Sequence, residues 1–419
     1  MHVTSQKRTS PYLVAAIFAC LVGGPALAAD ATEVTFSKDI APILQRSCQN
    51  CHRPDSLAPM SLLTYDEVRP WARSIRKRTA LRDRQGVMPP WFIERNIGIQ
   101  DFKDDPSLSE QEIDLISRWV ETGAKEGDPG DMPAARTFRD ADDWQIGEPD
   151  LIVTSKSFDV PANAPDWWGS LGAVPMENKE DRYVAAFEYK ERSVATGEST
   201  RDTVGGLFVV HHAGPFIVGP EGRSSSGFWP VHEVGRNADF FPQESGRLIK
   251  AGSTLMLPSV HVHANGTPTT ARLEIGFKFH PKGYEPGKQT QFLFFGNGPD
   301  LDIRPMEADQ RHEAFLTLTH NTRVTVFEPH MHAPGVRMCL EATYGVTSWT
   351  LNCAGYDHNW VRVYQYEEDA TPLLPKGTIL HLVGYFDNSP SNPNVVDPRN
   401  WSGSGHRSVD NMFINLMQG

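Results

Sequence analysis

The feature that most constrains this chain is a change of hydrophobic period near residue 148. Before it, the apolar residues recur at helical spacing. Ile40, Ile43 and Leu44 mark one such stretch from Lys38 to Cys48, and a second runs from Asp66 to Arg82. Ser109 and Glu112 spell a capping box that opens a helix with the stripe Ile113, Ile116, Trp119, Val120, closed by Gly123. Residues 124–148 are rich in Asp, Gly and Pro, have no period and read as a linker. After them come short β-branched or aromatic runs between turn residues, among them Leu151–Thr154, Leu207–Val210, Ala271–Phe279, Phe315–Leu318, Val324–Phe327, Thr347–Leu351, Trp360–Tyr366 and Ile379–Tyr385. About ten runs over roughly 270 residues exceed one small sandwich, so two packed sandwiches are expected. The expected architecture is a small all-α domain over 29–123, the 124–148 linker, and two all-β sandwich domains over 149–300 and 301–419.

The N-terminus sets the compartment. Lys7 and Arg8 precede an apolar stretch from Tyr12 to Gly23, and Ala26-Leu27-Ala28 has the small-x-small pattern of a cleavage site. Residues 1–28 therefore read as a signal peptide, and the mature chain as periplasmic with no stable membrane span. Cleavage removes two positive charges and no acidic ones, taking the formal net charge from −12 to −14. Such an acidic chain is not a nucleic-acid binder, which would need a basic surface. Four cysteines remain: Cys48, Cys51, Cys339 and Cys353. In an oxidising compartment each needs a covalent or metal explanation.

Cys48-Gln-Asn-Cys51-His52 supplies one. Two thiols at this spacing can each add across a haem vinyl group, with the adjoining histidine held under the iron. The bland readings are a local disulfide, a zinc half-site or chance, and no second CxxC is present to complete a zinc site. The motif points to one covalent haem c and to a cytochrome c role for the helical segment. Met88, in a Met-Pro-Pro-Trp turn, is the expected second axial ligand, with Met60 its competitor. Cys339 and Cys353 flank a strand pair and read as a hairpin disulfide.

The β region carries a second constellation. His211-His212 ends an apolar run, His261-Val-His263 precedes Asn265-Gly266, and Glu328-Pro-His330-Met-His332 is followed late in the chain by Met412. On a strand, residues i and i+2 share a face, so His330 and His332 can present two imidazoles to one ion. Adding a thioether shifts the expected metal from zinc to copper. Adjacent His211 and His212 point to opposite faces of a regular strand, so both can serve one ion only at a bulge or a strand end. His232, His280, His312, His320, His358, His381 and His406 read as surface or hydrogen-bonded core residues.

From about residue 148 onward the chain resembles the copper type II, ascorbate-dependent monooxygenases, the group of the peptidylglycine α-hydroxylating and dopamine β-monooxygenases. The order of adjacent histidines, a histidine before Asn-Gly, an HxH and a late methionine is that family's ligand order. In bacterial relatives a c-type cytochrome domain precedes the module, and Cys48–His52 with Met88-Pro-Pro-Trp looks like that domain. The resemblance implies jelly-roll-like sandwiches holding two copper ions, one on His211, His212 and His261 and the other on His330, His332 and Met412. The second would be the catalytic site. His263 is an additional histidine that could replace or supplement His261. Gly222–Gly235, with Trp229 and His232, is an insertion without a counterpart. Peptide-amidating members carry an arginine and a tyrosine where this chain has Glu328 and Leu416, so peptide amidation is not expected.

The implied activity is O2-dependent hydroxylation of a C–H bond in a small organic substrate. Electrons would come from a periplasmic donor or small reductant through the fused haem c. The alternative is a haem c electron-transfer protein whose copper-binding domains are not catalytic.

Overall fold

The structure, a computed structural model, describes residues 33–419 except 55, 59, 141, 199–207, 234–235 and 407–408, and except the side chains of 224–228. The expected signal peptide, Leu207, and parts of the Gly222–Gly235 insertion lie outside the described residues. Among the described residues no helix is long and apolar enough to cross a membrane.

The N-terminal part overturns the expectation of a small all-α domain. Its helical segments are short: Phe36–Ile40 running into Ala41–Ser47, Tyr65–Val68 continuing through Arg69–Trp71 to Ala72–Thr79, and Glu110–Glu121. The last is capped by Ser109 and Glu112 in a reciprocal box and buries Ile113, Ile116 and Trp119. Gly123 follows with φ +98°, a left-handed position that glycine adopts without strain. Between the second and third segments, however, Ile93–Gly98 is a strand. It pairs antiparallel with Thr347–Gly355, at the edge of a sheet in the C-terminal sandwich.

The reason is burial. Val87, Trp91, Phe92, Ile93 and Phe102 join the C-terminal sandwich core and are absent from the core of the helical segments. Trp91 sets its edge against Tyr364 and Phe102, with ring centres 4.9 and 5.9 Å away. Arg337 closes a bidentate ion pair onto Glu94, and Asn352 donates to the Ile99 carbonyl at 2.7 Å. This stretch finds its strand partner more than 250 residues away along the chain, which local periodicity cannot reveal.

The remaining chain forms two sandwiches. In the first, one sheet runs Ala238–Phe240, Arg182–Ala195, Thr269–Phe279, Leu151–Thr154, and the other Trp167–Gly169, Thr254–Val262, Val210–Val218, Ser224–Phe228. A core that includes Phe187, Tyr189, Trp229, Leu257 and Phe277 lies between them. In the second, Thr347–Gly355, Gly335–Tyr344, Ile379–Phe386 and Gln310–Thr317 face a sheet of Phe292–Gly296, Phe413–Gln418, Val326–Phe327 and Tyr364–Gln365. Cys339 and Cys353 sit directly opposite each other in this second sandwich and form a disulfide with Cα atoms 4.1 Å apart.

Candidate metal centre between the two sandwiches

One row of cross-strand neighbours builds the wall contributed by the first sandwich. Trp168 pairs with His261, His261 with His212, and His212 with Glu233, across four adjacent strands. Directly opposed residues project to the same face, so the row presents an indole, two imidazoles and a carboxylate to one side. Trp168 stacks on His212 with ring centres 5.2 Å apart and lies 4.8 Å from His261.

The register then slips. His261 pairs with His212 but Val262 pairs with Val210, so His211 is the extra residue of a β-bulge. The bulge meets the condition that adjacent histidines impose, because His211 no longer has to face away from His212. His211 lies 5.2 Å from His261 and 4.5 Å from His263, measured between ring centres. One nitrogen from each of His211, His261 and His263 lies within 4.8 Å of the others. His212 stays outside this trio. Its Nδ1 meets Glu233 Oε1 at 2.7 Å instead.

The second sandwich supplies the opposite wall. Pro329–Met331 pairs with Phe413–Gln418, and alternation directs His330 and His332 to one side. Tyr356 donates its hydroxyl hydrogen to the Met331 carbonyl between them, and His332 Nδ1 donates to the Asp410 carbonyl at 3.1 Å. His358 lies 5.4 Å from His332 and 6.1 Å from His211, which joins the two halves. The resulting narrow cavity is lined by His211, His212, His261, His330, His332, His358 and His406, with Trp168, Glu233 and Val361. Extending the Met331–Phe413 pairing by one residue puts Met412 opposite His332, yet Met412 does not line the cavity.

Burial controls the protonation of these rings. It holds His211 and His332 well below the usual histidine range, and with neighbouring imidazoles it lowers His261 and His358 to about 4. At neutral pH these four are bare imidazoles, the form that ligates metal. His263 Nε2 is buried without a hydrogen-bonding partner, while its Nδ1 pairs with Asp166 at 3.0 Å. Three converging nitrogens, one of them an orphaned buried atom, fit copper(II) or copper(I). Glu328, just before the HxH, is sealed against Arg236 at 2.7 Å and pushed by burial up to about 8.

The haem motif is wound into a helical turn, with the Cys51 and His52 amides both donating to the Cys48 carbonyl. Cys48 and Cys51 are free thiols, half-buried, and burial raises the Cys48 thiol to about 12. His52 Nδ1 faces the Met60 carbonyl at 3.3 Å, which leaves Nε2 as the nitrogen available to an iron. Two free thiols and an oriented imidazole match the donor set of covalent haem attachment. Met88 lies in a separate cavity with Leu108 and Ile113, which none of the three motif residues lines.

Asp166, Trp168 and Glu233 escaped the reading of the sequence, and His358 and His406, read there as surface or hydrogen-bonded core residues, line the cavity. His358 carried the best signal, lying within Tyr356-Asp-His-Asn-Trp360. Glu233 carried none beyond its place in an unexplained insertion. No protein-family model matches this chain, and a search of curated proteins finds no match.

Proposed function

We propose that this chain is an exported copper-dependent monooxygenase that hydroxylates a C–H bond of a small organic substrate, with electrons relayed from a haem c attached at Cys48, Cys51 and His52. The observation that carries the reading is the convergence of imidazoles from both sandwiches on one narrow cavity, two of which, His211 and His261, also group with His263, one nitrogen of each lying within 4.8 Å of the others.

His211, His261 and His263 would hold one copper, and His330 and His332, with Met412 from the chain just before Phe413–Gln418, the other. Copper supplies the one-electron chemistry with O2 that imidazoles alone lack. Haem c, when attached, supplies a one-electron store on the same chain. The reaction consumes R–H, O2, two electrons and two protons and yields R–OH and H2O.

The chain's own residues do the rest. Trp168, stacked on His212 and packed at an angle against His261, and Val361 form apolar walls that limit water. The Asp410 carbonyl fixes the tautomer of His332 so that Nε2 is its bare nitrogen. Each free thiol can add to a vinyl group: an S–C bond forms and the thiol hydrogen ends on the neighbouring vinyl carbon. Arg236 is already engaged by Glu328 at 2.7 Å and by Asp239, so it is not free to take a peptide carboxylate, which favours a small non-peptide substrate.

The deciding experiment is a substrate screen with ¹⁸O2 on copper-loaded, haem-replete protein. Incorporation of one ¹⁸O atom into product supports the reading. Haem-replete protein that binds less than one copper and takes up no O2 rejects it in favour of an electron-transfer protein.

A further inference from the structure

The insertion Gly222–Gly235 brings one carboxylate into the histidine cavity. Glu233 ends the two-residue strand His232–Glu233, which pairs with Val210–Val218 and so sets Glu233 opposite His212. Its side chain is 1% exposed. Oε1 meets His212 Nδ1 at 2.7 Å, and the same oxygen lies 3.5 Å from His330 Nδ1. His330 is buried and its Nδ1 makes no hydrogen bond, so the Glu233 carboxylate at 3.5 Å is the acceptor it faces. The two rings are 5.6 Å apart, one from each sandwich, and His330 is 5.7 Å from His332. His212, by contrast, is not one of the three histidines whose nitrogens converge on the His263 side.

The geometry points to Glu233 as a positioning residue that removes His212 from the first ligand group and pairs it with His330, so that the second metal site spans the two sandwiches. The argument is one of tautomers. A carboxylate that accepts from Nδ1–H of His212 and attracts the Nδ1–H of His330 leaves Nε2 bare on both and biases the plane of each ring. One carboxylate serving histidines from two sandwiches then holds both walls of the cavity in register. The inference rests on the proposed reading that the cavity binds two copper ions. It departs from the grouping implied by the resemblance, in which His212 belongs with His211 and His261.

Full-length apoprotein would be titrated with copper(II) sulfate against a competing chelator, with the hyperfine splitting of each bound ion read by electron paramagnetic resonance. His263→Ala and His330→Ala label the two binding steps. Glu233→Gln, nearly isosteric, should weaken the His330-dependent step about 10–100-fold and shift its hyperfine splitting. It should leave the His263-dependent step unchanged. His212→Ala should follow the same step, and Glu233→Asp should recover part of the affinity. If Glu233→Gln or His212→Ala weakens only the His263-dependent step, or if both steps and both spectra are unchanged, the inference is overturned while the copper reading stands. If wild-type protein binds no copper, the reading itself fails. Should Glu233→Gln not fold, Glu233→Asp decides on the same two readouts, and unchanged affinity and splitting there also overturn the inference.

Discussion

Removing residues before 124 should not release a working β module. The cut takes away Val87, Trp91, Phe92, Ile93 and Phe102, all buried in the C-terminal sandwich core, and the edge strand Ile93–Gly98. At about 1.5–3 kcal/mol per fully buried apolar side chain, the five together represent about 8–15 kcal/mol. A domain's net stability is of the same order, about 5–15 kcal/mol. Residues 124–419 should therefore be unfolded or aggregated at 25 °C. The single variant Phe92→Ala, in the full chain, should cost about 3–5 kcal/mol. That corresponds to a melting point lower by about 6–20 °C. Circular dichroism melts of both proteins, with hydrogen exchange along Thr347–Gly355, would measure the effect. If residues 124–419 melt cooperatively within about 2 °C of the full chain, the view that the N-terminal segment completes the sandwich is wrong.

Other outcomes follow from single features. His232 is buried and lowered to about 4 by that burial, so the unfolded chain takes up a proton near pH 6.5 that the folded chain refuses until about 4. Stability should fall as pH drops through that window, by about 3 kcal/mol for this group, and urea titrations of His232→Gln should show a shallower slope. Replacing Cys339 and Cys353 by alanine opens a loop of 14 residues' separation and should cost about 3 kcal/mol in the same assay. Cys48→Ala with Cys51→Ala should abolish haem that survives denaturing electrophoresis, while leaving copper stoichiometry unchanged. Bound copper should be released on acidification as protons compete for the ligand imidazoles, with copper affinity falling as pH drops, measured by equilibrium dialysis across pH.

Much of this molecule is legible along the chain, and the illegible parts share a cause. The helix from Glu110 and the pairing of Cys339 with Cys353 depend on neighbours within about fifteen residues, and local spacing reports such things. The histidine pairs stand out because alternation alone gives His330 and His332 a common face. Ile93–Gly98 fails that test: its partner strand lies far along the chain, and its six residues lie between a Pro-Pro turn and a capped helix. Glu233 is invisible for a related reason, since a buried carboxylate gains meaning only from the two imidazoles that surround it in space. Met88 stands differently: its expected role as second axial ligand rests on chain spacing from His52, and the fold lines a cavity with it beside Leu108 and Ile113.

The bulge at His211 has a consequence for how this cavity can change over time. Val210 and Ala213, three positions apart, both belong to the hydrophobic core, whereas an uninterrupted strand alternates every two. Between them stand two outward-looking residues where a regular strand has room for one. Deleting residue 211 would restore the ordinary alternation without disturbing either flanking valine or alanine. Ligand number can thus be raised or lowered by a one-residue step in length, leaving the scaffold's interior untouched. A chain built this way can acquire or shed a metal arm independently of its foldability.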